Sequence, residues 1–289
     1  MTAEPLAPVR RSRRWRHPSL AFGLVGTSVF VLLALISLFW VPYPIDRIAI
    51  AEKFLAPSPA HWLGTDSFGR DMLSLLMSGT LTSLLVAVVA VVIGAAIGVP
   101  LGLLAAAWAG PVEWVVLRLS DFLFAFPAVI TAILLTALFG PGALNAMIAI
   151  GIFNIPVFAR VARGGALSVR ALDFIGAARL AGLGPWAIAL RHLLPNIAGL
   201  VIVQATIQLS LGILAEAGLS YIGLGTQPPA TSLGLMLHDA QSLFLLHPAL
   251  TYVPGCAIVL IVISLNLGGD GLRDVLDPRM HRVGAGRAA

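Results

Sequence analysis

Charge is scarce in this chain. Only 11% of its 289 residues are charged, against roughly 25% in a soluble globular protein. Lysine is almost missing: Lys53 is the only one, beside 17 arginines. A phosphate-binding loop of the form G-x-x-x-x-G-K-[ST] uses its lysine to reach the phosphates. Lys53 stands in AEKFL with no glycine-rich loop, so the chain does not bind ATP in that way. The single cysteine, Cys256, lies in an apolar run and has no internal disulfide partner; it reads as packing. The histidines are scattered without metal-ligand spacing, so no metal and no cofactor is implied.

What is present is apolar. The sequence is 58% hydrophobic, in long uncharged runs that a soluble core would have to interrupt with polar surface. A membrane span needs about 20 apolar residues, and the chain supplies several. Residues 1–18 form a basic N-terminal segment, and 19–41 a first span longer than a signal-peptide core. Residues 42–79 read as a polar, proline-rich external loop carrying a short interfacial helix. A second span lies at about 80–105. The uncharged stretch after Phe122 is too long for one helix and is broken by FGPG at 139–142. This gives spans at about 117–138 and 143–162, then 197–218 and 249–267, with GGDGLRD ending the last. The fold class is all-α, six spans, with a five-helix core over 80–268 and a tail at 269–289.

The arginines set the orientation. With both ends in the cytoplasm, 15 of the 18 basic residues fall on inside segments and only Arg47, Lys53 and Arg70 outside, as the positive-inside rule requires. The basic balance therefore reports topology, not nucleic-acid binding.

One inside segment is unusual. DFIGAARLAGLGPWAIALRHLLPN (173–196) is arginine-studded, glycine-broken and amphipathic. The pattern predicts a helix from Ser168 to Leu180, with Ala171, Phe174, Ala178 and Ala181 on its less polar face. It ends at Gly182, and a second short helix runs from Trp186 to Leu193. Two short helices at an angle make a knob that can transmit force. The segment resembles the coupling loop of ABC-importer permeases, Glu-Ala-Ala, three residues, Gly, nine residues, x-x-Leu-Pro. Gly176, Ala177 and Ala178 fill the first places, Gly182 the glycine, and Leu194-Pro195 the close. Gly176 departs from the family's usual Glu.

The resemblance spreads over most of the chain. WLGTDSFGRDMLSLLMSGT (62–80), RLSDFLFAFPAV (118–129), ARVARGGALSVR (159–170), ILAEAGLSYIGLGTQPP (213–229) and NLGGDGLRDVLDPR (266–279) are similar to the peptide/nickel-transport permeases, and most to the C-type subunit of dipeptide and oligopeptide importers. The resemblance implies a type I importer permease that pairs with a second homologous permease. Two cytoplasmic ATPases would dock on the coupling loops (163–195 here), and an extracytoplasmic binding protein would deliver substrate. Arg170, Asp173, Gly176, Ala177, Ala178, Arg179, Gly182, Leu194 and Pro195 are then the coupling residues. Such a chain is not an enzyme, and its surroundings are the bacterial inner membrane and its lipid.

Glu216 is the other residue of interest. It follows a long uncharged stretch near the far end of span five. An intramembrane carboxyl is costly and faces a cavity or a partner, which makes it a pathway or gate candidate. Its alternative is a solvated side chain at headgroup level. Arg118 and Asp121, three apart, are expected to pair along one helix face. Rival functions are nickel or another small solute as cargo, and a self-sufficient channel or secondary transporter. The second would call for discontinuous spans with midplane charge. GLSY at 218–221 faintly resembles the serine motif of intramembrane proteases, but Tyr221 stands where a glycine is required after Ser220 and no span offers an embedded histidine, which argues against a membrane enzyme.

Overall fold

The computed structural model describes residues 18–108 and 110–276. The basic segment 1–17 and the tail beyond Leu276 lie outside the described residues. Within them the chain is helical, apart from turns and one isolated bridge between Thr65 and Asp71. The helices are α1 (Pro18–Ser37), α2 (Met72–Ala107), α3 (Pro111–Ala125), α4 (Ala128–Phe139), α5 (Ala143–Arg170), α6 (Asp173–Leu180), α7 (Pro185–Ile188), α8 (Leu194–Tyr221), α9 (Leu233–Ala240) and α10 (Ala249–Leu276). Five helices are long and apolar enough to cross a membrane, and six if the bent pair α3–α4 counts as one.

Three features differ from the sequence reading. Among the described residues no separate α-helix precedes span two; the 42–71 loop carries a three-residue 3-10 turn, Ile50–Glu52. α2 is unbroken from Met72, and its 36 residues run about 54 Å at 1.5 Å per residue. Asp71 starts it by accepting from the Ser74 N–H at 2.8 Å, an N-cap. Span three is bent by 76° between α3 and α4. Pro127 has no N–H and disfavours helix at Phe126. The last helix does not stop at GGDGLRD; it runs on to Leu276. Its glycines serve close packing there: a Cβ on Gly23 of α1 would meet the backbone of Gly268, and one on Gly271 would meet Leu20.

The centre of the bundle is the pair α2 and α5, which run parallel. Gly94, Gly98 and Gly102 recur every four residues along one face of α2. Cβ atoms there would collide with Asn154, with Ile155 and Phe158, and with Ala159 and Ala162 of α5. Helices in lipid associate through such small residues because apolar burial gives them no preference for each other over acyl chains. Gly98→Leu is therefore expected to push α5 away, at a cost of about 1–3 kcal/mol or more. A thermal midpoint in detergent equal to wild type would refute the packing argument. A polar contact crosses the same region: Gln208 Nε2 of α8 donates to Asn154 Oδ1 at 2.7 Å, and Asn154 Nδ2 to the Ala90 carbonyl at 3.3 Å.

α8 runs antiparallel to the parallel pair α2 and α5, so Glu216 meets Ser83 of α2 near one end and Ile197 meets Gly165 of α5 near the other. α1 runs antiparallel to α10 against its Gly268 and Ser264. The first described turn of α1 and the last of α10 thus lie at the end that carries α6 and α7. Phe22, Val25, Leu32, Leu138 and Ile202 are among many large apolar side chains left exposed on the outer faces. In water such a surface would aggregate; in lipid it is solvated.

The segment 42–71 folds into a compact knot at the opposite end. Asp66 accepts from the Phe68 and Arg70 N–H groups, and Arg70 bridges Asp66 at 2.6 Å to Asp239 of α9 at 3.2 Å. Buried His61 meets Asp71 at 3.0 Å, and Phe54 stacks on His247 at 3.9 Å. The polar residues of WLGTDSFGRD thus tie the loop to the bundle.

Candidate coupling site

The segment after α5 forms two short helices, as its glycine breaks require, but the first starts later. α5 continues through Ser168 to Arg170, and α6 begins at Asp173. Its buried face is also rotated from the expected one. Ile175 is fully buried and Ala178 nearly so, while Ala171, Phe174 and Ala181 are exposed. Ile175 and Ala178 join Ile188, Ala189 and Leu193 in one apolar cluster with Leu103 and Ala106 of α2 and Phe158, Ala162 and Ala166 of α5. The back of the knob is thus fixed to the two central helices.

Gly182 ends α6 in the left-handed region at φ +83°, where glycine avoids the Cβ penalty. Its N–H donates to the Arg179 carbonyl at 2.9 Å, and the Leu183 N–H to that of Ala178 at 3.2 Å. These two bonds are the Schellman motif, and Leu183 packs into the same cluster. Pro185 opens α7, and Trp186 lies 5.8 Å from Trp108 at the end of α2. Leu194-Pro195 does not close the knob with a break. A π-helical turn over Ala189–Leu193 runs straight into α8. The wider turn accommodates the Pro195 ring, which crowds the carbonyl four residues back, and Asn196 Nδ2 donates to the His192 carbonyl at 2.7 Å.

The outward face of α6 is the informative one. Asp173, Gly176, Ala177 and Leu180 fall at i, i+3, i+4 and i+7, and all are exposed. A Cβ on Gly176 would meet nothing within 4 Å. Leu180 is 92% exposed, at a helix end whose opposite side is fully packed. The coupling motif treats its position as variable, so spacing carries no signal for it; its exposure makes it a candidate contact. Of the other expected residues, Ala178 faces inward, and Gly182, Leu194 and Pro195 shape the backbone. Arg170 turns toward α2, where Nη1 donates to the Ala106 carbonyl.

Acidic residues of α3 brace this end. Asp121 pairs with Arg160 of α5 at 2.6 Å, not with Arg118 as expected. Arg118 lies over the Trp114 ring at 5.7 Å. Glu113 pairs with Arg163. Interhelical partners win because each carboxylate faces α5 across the contact.

Glu216 lies at the opposite end, and its surroundings overturn the solvated alternative. Its side chain is fully buried. It accepts from Ser83 Oγ of α2 at 2.7 Å, Ser220 Oγ at 2.7 Å and Thr226 Oγ1 at 3.5 Å. Ser83 Oγ also accepts from the Leu233 N–H of α9 at 3.3 Å, and Ser220 Oγ from the Thr226 N–H at 3.1 Å. The carboxyl thus ties α2, α8, the 222–232 loop and the start of α9 together. It is enclosed by the described residues of this chain, with no exposed surface.

Residues 98–282 match the family model described as the binding-protein-dependent transport system inner membrane component. The chain is 40% identical over 275 residues to the glutathione transport system permease protein GsiD of Pectobacterium atrosepticum, spanning 92% of this chain and 90% of that one. It is 37% identical over 258 residues to the dipeptide transport system permease protein DppC of Alkalihalophilus pseudofirmus, spanning 89% and 85%. The fold is shared with a chain of the MetNI methionine ABC transporter, solved in inward-facing conformations, at a TM-score of 0.60 and 20% identity, covering 71% of this chain and 98% of that one. The chain therefore belongs to the inner-membrane permease components of binding-protein-dependent ABC importers, a non-catalytic family that works with separate ATPase, permease and binding-protein subunits.

Proposed function

We propose that this chain forms half of a pathway for short peptides, paired with one homologous permease and driven by two ATPase subunits. The observation that carries the coupling half of this reading is the α6 ridge of Asp173, Gly176, Ala177 and Leu180, fixed from behind and open in front. A rigid knob with an uncovered leucine fits a cleft in another protein. The cargo half rests on the permeases for glutathione and dipeptides that resemble it along nearly its whole length. The α6 end is the cytoplasmic one in this reading, because Arg118, Arg160, Arg163, Arg170, Arg179, Arg191 and Arg273 gather there. Glu216 acts by holding the 222–232 loop and α9 against α2 and α8, where the binding protein would deliver its load.

The test is uptake by the full complex in proteoliposomes, with labelled dipeptide, glutathione and Ni²⁺ in parallel. Uptake of either peptide, dependent on ATP and binding protein, is expected. Uptake of Ni²⁺ alone would overturn the cargo. Ala177→Cys should crosslink to a cysteine on the ATPase surface, and its labelling from the outer side would overturn the orientation. Gly176→Glu should assemble and transport, because its Cβ enters open space and glycine in a helix costs about 0.5–1 kcal/mol relative to alanine. Loss of uptake with intact assembly would show that the position requires glycine.

A further inference from the structure

A cavity of about 280 Å³ opens between the end of α2, the end of α5 and the α6–α7 turn. Arg170 and Arg179 both line it. No carboxylate among the described residues lies within 4.0 Å of either guanidinium. Glu113 of α3, at the same end, is held by Arg163. One Arg170 donor goes to the Ala106 carbonyl, and a guanidinium carries five. Two cations sharing a cavity repel unless an anion sits between them.

The remaining walls are apolar: Leu183, Ile188 and Leu193. The cavity also lies at a defined depth. The tryptophans of the described chain fall in two groups, Trp40 and Trp62 near one end, and Trp108, Trp114 and Trp186 near the other. Tryptophan collects at headgroup level, and the residues next to Trp108 and Trp186, Ala107 and Pro185, are themselves cavity walls. On the α6 wheel Arg179 flanks the buried Ile175–Ala178 face, about a right angle or more from Leu180. The cavity and the outward ridge are thus separate surfaces.

We propose that this cavity holds the phosphate of an anionic phospholipid, with Arg170 and Arg179 as its two guanidinium ligands. Arginine forks match phosphate oxygens in pairs, and basic pockets between helices on the cytoplasmic side are suited to such headgroups. The apolar walls favour the lipid over a free, fully hydrated phosphate, since they receive the glycerol and upper acyl carbons. The bound lipid would fix the α6–α7 knob to the bilayer surface. This lipid site rests on the orientation proposed above and is independent of the cargo.

The experiment uses the purified permease–ATPase complex in nanodiscs of phosphatidylcholine, alone or mixed with phosphatidylglycerol or cardiolipin. Lipids retained after transfer to mild detergent are counted by native mass spectrometry. Anionic lipid should be retained over phosphatidylcholine by about tenfold, equivalent to about 1.4 kcal/mol. Arg179→Gln should abolish that preference. Arg179→Lys should restore part of it, and Arg191→Gln, outside the cavity wall, should keep it. Equal retention of both lipid classes, or wild-type retention by Arg179→Gln in the assembled complex, would overturn the proposal. Saturable binding of inorganic phosphate to delipidated complex, lost in Arg179→Gln and not displaced by phosphatidylglycerol, would overturn the lipid assignment.

Discussion

Leu180→Asp is expected to strip the ATPase subunits from the purified complex, lowering their co-purification by at least about tenfold. Leu180 is almost fully exposed, on the face of α6 turned away from the bundle. Burying a leucine against a partner contributes about 1.5–3 kcal/mol. The aspartate loses that contribution and also brings an unpaired charge into an apolar contact, which costs several kcal/mol more. Within the permease the substitution touches nothing that is packed, so folding and membrane insertion should match wild type. The check is affinity purification through the permease, with ATPase content and peptide-stimulated hydrolysis read together. Wild-type ATPase content would mean that the knob docks through another face, and the coupling reading of the ridge would fail.

Glu216→Ala should fail at an earlier stage. The substitution leaves three hydroxyls facing an empty buried space and frees the 222–232 loop from α2. Removing the common acceptor of a buried hydrogen-bonded cluster costs about 3 kcal/mol or more. The thermal midpoint in detergent should fall, and proteolysis should cut the 222–232 loop first, because Thr226 loses its carboxyl acceptor and Ser220, which accepts from the Thr226 N–H, loses the partner that orients it. Glu216→Gln keeps the volume and one acceptor oxygen, while serine and threonine hydroxyls can rotate to accept from the new amide. That variant should fold, and should lose binding-protein-stimulated ATPase more than basal ATPase if the loop is where substrate is handed over. A Glu216→Ala protein with wild-type stability and wild-type uptake would sink the clamp reading.

Several features were legible in the residues because they depend on local composition. The uncharged runs marked the crossings, since only lipid accepts them. The FGPG turn and the Gly182 helix end were legible because proline and left-handed glycine act within one turn of the chain. Glu216 stood out as a carboxyl among apolar residues, and Ser220, four residues on, shares its helix face. The partner that completes the cluster, Ser83, lies 133 positions away, and no spacing rule connects the two.

The sequence by itself determined that the chain is helical, membrane-spanning and built around a glycine-broken knob, because span length, charge and backbone permissiveness are properties of short stretches. The tertiary structure decided how those stretches are used. GGDGLRD reads as the end of a helix, yet its glycines let α10 continue against α1, because close backbone approach removes the reason to turn. Asp121 reads as a partner for Arg118, yet it takes Arg160, because α5 brings that guanidinium within 2.6 Å. Leu180 reads as one apolar residue among many. Only the packing of Ile175 and Ala178 on the other side of α6 leaves it facing outward with nothing to cover it, since a helix fixed by one face must present the opposite one.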